Sequence, residues 1–181
     1  MRNLKKLSRP RSLDLNTGDL RATIRRESDR AAIIMAATFI EDTLSHKLKQ
    51  QIAPMGRKEQ DELFDFSGPL GTFSARIKIA HAFHLIDAPL KRQIEIIKEM
   101  RNAAAHAQID ITFATPAIRE AILEIFGPQR GTIKDWDAAR MRELYTEICG
   151  VIVMRVLDPT FAFTDYHVIR DVIIWDGEGA G

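Results

Sequence analysis

The sequence predicts an all-α fold, an up-and-down bundle of four to five helices with a small extended or hairpin tail at its C-terminus. Three features carry that prediction. Apolar residues recur at helical spacing through four long or medium segments. Serine, threonine or proline stands at the start of several of these segments, where helix caps and first turns belong. No paired β-patterned runs precede the tail. At 181 residues, 45% hydrophobic and 28% charged, the chain is sized for one domain with a sizeable core. We divide it into a basic arm over residues 1–18, the bundle over 19–158 and the tail over 159–181.

The arm holds Arg2, Lys5, Lys6, Arg9 and Arg11 with no acid before Asp14, and Pro10 interrupts any helix. Residues 1–30 carry nine Lys or Arg against four Asp or Glu, although the whole chain nets only +1. Few aromatics interleave these charges. A solvated arm is the simpler reading; contact with nucleic acid or an acidic partner is the functional one. Residues 19–26 form a short helix of their own.

Ser28 caps a long helix over residues 29–53 whose stripe reads Ile33, Ala37, Ile40, Leu44, Leu48 and Ile52. It is apolar almost all round between residues 31 and 40, which makes it the central helix. Glu41 and Asp42 follow directly, Glu41 facing inward and Asp42 outward. His46 lies on the surface, with no second ligand at a metal spacing, so no metal site is expected. Pro54 and Gly56 end the helix, and a short amphipathic piece leads to a packed loop, Phe64-Asp-Phe-Ser-Gly-Pro-Leu-Gly71. Thr72 caps a helix over residues 73–86, and Asp87-Ala-Pro turns into the next, which ends at His106. Residues 109–113 alternate and read as extended. Thr115 and Pro116 then open a helix to Phe126, and a last long helix spans residues 134–157. We expect a core of Ile33, Ile40, Ile79, Phe83, Ile94, Ile97, Ile148 and Ile152.

The helix ending at His106 carries the oddest feature of the chain. Its buried stripe reads Leu90, Ile94, Ile97, Arg101, Ala104, so a guanidinium stands where a leucine belongs. Such a charge must be met by a carboxylate, carbonyls, water or an anion. Glu41 is the expected partner, and if Arg101 were its sole partner, Arg101→Ala would cost roughly 3–5 kcal/mol. His106 follows Arg101 by five positions, about 140° around an ideal helix, so the two converge only if the helix bends or a second copy supplies one of them.

Two resemblances attach to these residues. The run Gly68-Pro-Leu-Gly-Thr-Phe-Ser-Ala-Arg-Ile-Lys-Ile-Ala-His-Ala-Phe-His-Leu-Ile86, with Ile-Ile-Lys-Glu-Met-Arg-Asn-Ala-Ala-Ala-His106, resembles the mannitol-operon repressor family of bacterial regulators over residues 28–126. That resemblance implies a compact helical regulator of transcription without an evident helix-turn-helix, which we read as acting through protein contacts or through the arm. The segment from Arg101 to His106 also resembles the arginine–histidine motif of the HEPN superfamily. There, Arg101 and His106 would be catalytic and Asn102 would assist in metal-independent cleavage of RNA, histidine moving the proton and arginine stabilising charge on phosphorus. We take the regulator as the principal reading and the endoribonuclease as the alternative, with no cofactor in either.

The apolar tail and the small surface of Ala103, Ala104 and Ala105 suggest a homodimer. One cysteine, Cys149, sits in an apolar pattern as a core residue, and neither a signal peptide nor a membrane span is evident. A cytoplasmic location is expected.

Overall fold

The computed structural model describes residues 17–127 and 133–161, and the basic arm up to Asn16 and the tail beyond Phe161 lie outside that range. The described residues form seven helices: α1 Thr17–Arg26, α2 Asp29–Gln51, α3 Arg57–Phe64, α4 Phe73–Ala82, α5 Ala88–His106, α6 Pro116–Phe126 and α7 Ala138–Leu157. They make an all-α up-and-down bundle, and no strand occurs among the described residues. The expected four to five helices correspond to α2, α4, α5 and α7; α1, α3 and α6, of ten, eight and eleven residues, bring the number to seven. Helices this short are marginal alone in water, and packing against longer neighbours holds them. Thus α1 lies on α2 and α7, and α6 bridges α5 and α7.

Helix α2 is the hub, touching α1, α4, α5 and α7. Its buried Ala32, Ile33, Ala36, Ala37, Ile40, Leu44 and Leu48 span more than one face, as the nearly all-round apolar sequence requires. Ser28 caps it by accepting from the Ala31 amide, Thr72 caps α4 through the Ala75 amide, and Asp87 caps α5 through the Leu90 amide. Thr115 is the N-cap residue of α6, yet its hydroxyl accepts from the amide of Thr112 instead, bracing the preceding turn.

Ion pairs and charged donors tie the ends of the bundle. Arg142 of α7 binds Asp29 at 2.8 Å, and the other Asp29 oxygen accepts from the Phe113 amide at 3.0 Å. Arg30 donates to the carbonyls of Ala107 and Ile109 just beyond α5. Residues 109–113 therefore run as an irregular connection pinned to α2, with Ile111 and Phe113 buried and Ile109 exposed. At the other end Lys47 donates to the Leu157 carbonyl, and Arg155 binds Asp87 at 2.8 Å.

Six of the eight expected core residues are fully inside, and Ile79 is partly buried against them. Phe83 is not; it is 53% exposed. Helix α4 stops at Ala82 rather than Ile86, because His84 adopts a left-handed conformation, φ 56°. The Leu85 amide reaches back to the Ala80 carbonyl and the His84 amide to that of His81, the paired bonds of a Schellman ending. Phe83 thus falls on the cap, and Ile86 takes the buried place beyond the turn. The last helix also starts later than expected, at Ala138, with Asp137 as its cap and Trp136 buried in the turn before it.

Candidate functional site

The Arg101 guanidinium meets Glu41. Its Nη2 donates to Glu41 Oε2 at 3.0 Å, and the other oxygen of the same carboxylate accepts from Arg76 Nη1, also at 3.0 Å. One carboxylate from α2 therefore bridges a guanidinium from α4 and one from α5. The side chains are 12% exposed for Arg76, 17% for Glu41 and 30% for Arg101, so the cluster grades from the interior outward. In that setting an unmatched ion would be expensive, and a carboxylate shared by two planar donors answers both.

Arg76 does more than pair. Its Nε donates to the Leu70 carbonyl at 2.8 Å and its Nη2 to the Phe64 carbonyl at 3.2 Å, which fastens the loop between α3 and α4 over the cluster. The glycines of that loop are required by close approach. A Cβ on Gly68 would lie 2.1 Å from the Glu62 carbonyl oxygen, and one on Gly71 would lie 2.3 Å from that of Asp65. Sequence reading overlooked Arg76 as a member of the cluster. The signal was present: with Phe73 and Ala80 it occupies one face of α4, an arginine on a buried stripe just as Arg101 is.

Asp42, expected to face solvent, is half-buried beside the cluster. Burial raises its carboxyl above the ordinary value, the charge of Glu41 adds to that effect, and Arg76 and Lys49 oppose it. Among the described residues His46 bonds only across one helical turn, to Gln50 at 2.9 Å. Among the described residues no group of His, Cys, Asp and Glu is placed to hold a metal ion.

Beside the triad opens a cleft of about 370 Å³ lined by Glu41, Phe66, Phe73, Ser74, Lys98, Arg101 and Asn102 together with the turn at Gly71 and Thr72. Asn102 thus shares the cleft with Arg101, whereas His106 does not line it. Helix α5 continues unbroken through His106, which leaves that imidazole exposed and well around the helix from Arg101. A single chain accordingly brings together Glu41, Arg101 and Asn102 and holds His106 apart. The expected nucleic-acid contacts Arg2, Lys5, Lys6, Arg9 and Arg11 lie outside the described residues.

Comparison with known proteins agrees with the architecture. The fold is similar to that of a chain in the X-ray structure of the MtlR-HPr complex from Escherichia coli, with a TM-score of 0.65, at 14% identity, over 77% of this chain and 97% of that one. At that identity the likeness establishes a common fold. No family model and no curated protein matches the chain. Among the described residues, no helix is long and apolar enough to cross a membrane.

Proposed function

We propose that this protein is a transcription regulator of the mannitol-operon-repressor type that works by docking another protein and catalyses no reaction. The observation that supports this most is the shared bundle, which spans nearly the whole of a chain captured in a complex of MtlR with HPr. The motif resemblance over residues 28–126 points the same way. The arrangement of Arg101 supports it too: its guanidinium is held by Glu41 as an internal strut. In this reading the protein is cytoplasmic and homodimeric, and the basic arm is a solvated segment.

The test is a titration of the purified chain with HPr in an analytical ultracentrifuge, alongside incubation with single-stranded RNA in the presence of a chelator. A dimer that shifts to a heavier complex and leaves RNA intact is the expected result. Chelator-resistant RNA cleavage lost in His106→Ala would overturn the proposal in favour of the ribonuclease. A clean monomer of about 20 kDa would remove the homodimer from it.

A further inference from the structure

The cleft beside Arg101 has more hydrogen-bond donors than the protein satisfies. Lys98, Arg101 and Asn102 project from one side of α5 at i, i+3 and i+4, and Ser74 stands opposite in the first turn of α4. Lys98 makes no ion pair among the described residues, and the side chains of Asn102 and Ser74 have no hydrogen-bond partner there either. Arg101 commits Nη2 to Glu41, while its Nε is buried without an acceptor. That last fact is costly, since a buried donor left unmade forfeits the hydrogen bond it made with water.

Charge is unbalanced in the same sense. The cleft is lined by the cations Lys98 and Arg101 against the single carboxylate Glu41, whose other oxygen is already taken by Arg76. Glu41 already accepts from two guanidiniums, so it offers little to a further cation. The wall is of another kind: Phe73 is buried at the base, and Phe66 is 91% exposed at the rim. A large aromatic left in water at the mouth of a donor-rich cleft is suited to covering the organic part of whatever enters.

We infer that this cleft is a binding site for a small phosphate monoester, the phosphoryl oxygens accepting from Lys98, Asn102, Ser74 and Arg101 and the organic group resting on Phe66. A phosphoryl oxyanion matches the surplus of cationic charge, and its several acceptor oxygens match donors approaching from two helices. The inference stands whether or not the bundle docks a partner protein, because it rests on the cleft's own donors.

Calorimetric titration of the full chain with inorganic phosphate and with phenyl phosphate tests it. Both should saturate, phenyl phosphate at lower concentration. Lys98→Ala and Asn102→Ala should each weaken binding about tenfold, the loss of one charge-assisted hydrogen bond, with thermal melting unchanged because neither side chain is buried in the core. Phe66→Ala should erase the advantage of phenyl phosphate and leave inorganic phosphate as it was. Lys58→Ala, which removes an exposed charge on α3, serves as the control and should change nothing. Absence of saturable binding at millimolar ligand, or equal weakening by Lys58→Ala, would overturn the assignment. Undiminished binding in both Lys98→Ala and Asn102→Ala would do the same.

Discussion

Removing Arg101 should cost less than removing Arg76, although Arg101 is the residue the sequence marks out. The expectation of roughly 3–5 kcal/mol for Arg101→Ala assumed that Glu41 would be left buried and unpaired. In the structure Glu41 keeps a second partner, Arg76 at 3.0 Å, so the truncation removes one charge-assisted bond at the more exposed end of the cluster. That bond is worth about 1–2 kcal/mol after allowance for solvent, and deleting the unsatisfied Nε returns part of it. Arg76→Ala removes the Glu41 bond and both bonds to the Leu70 and Phe64 carbonyls, from a side chain only 12% exposed. Glu41 keeps Arg101, so the cost comes from three charge-assisted bonds lost together, about 3–5 kcal/mol, and the loop that covers the cluster loosens.

Urea unfolding followed by far-ultraviolet circular dichroism at neutral pH would measure both. Thermal midpoints should follow, falling by roughly 2–4 °C per kcal/mol for a chain of this size. A double change of Glu41 and Arg101 to leucine provides a sharper check. It would restore stability if the two formed an isolated pair, but here it strands Arg76 and should leave the protein no more stable than Arg101→Ala alone. Should Arg101→Ala prove as damaging as Arg76→Ala, or should the double leucine variant recover wild-type stability, the shared-carboxylate account is wrong.

Three other changes follow from the structure. Asp42 has its folded pKa raised above the ordinary 3.8, so its contribution to stability is fully present below that value and is lost as pH rises through the folded pKa. Asp42→Asn should therefore gain on the wild type with rising pH across that window and run parallel above it; identical pH profiles would refute this. His84→Gly should stabilise the protein by about 1 kcal/mol, since glycine takes the left-handed backbone of the α4 ending without the Cβ strain; a loss in urea midpoint would count against it. Cys149 is fully buried, and burial pushes its thiol up to about 12, so a disulfide reagent near neutral pH should label it only in denaturant. Rapid labelling of the native protein would show that α7 opens.

Where a pattern reports burial alone, the fold was legible: the stripes of α2 and α5 give the interior directly, down to the guanidinium among the leucines and isoleucines. Where a backbone event decides the outcome, periodicity misleads. Residues 73–86 keep apolar spacing past the point at which His84 turns left-handed, so Phe83 is assigned to a core from which the helix has already departed. Asparagine or glycine at that position would have announced the ending; histidine does so far more weakly. The candidate site shows the same limit in another form. An arginine on a buried stripe demands a counter-charge but does not say how many others share it, and Arg76 makes that demand as strongly as Arg101. Two such residues on separate helices and one inward carboxylate could not all be satisfied as independent pairs. The bundle resolves this by packing α4 and α5 against α2 so that both guanidiniums reach the one carboxylate beside which the cleft opens.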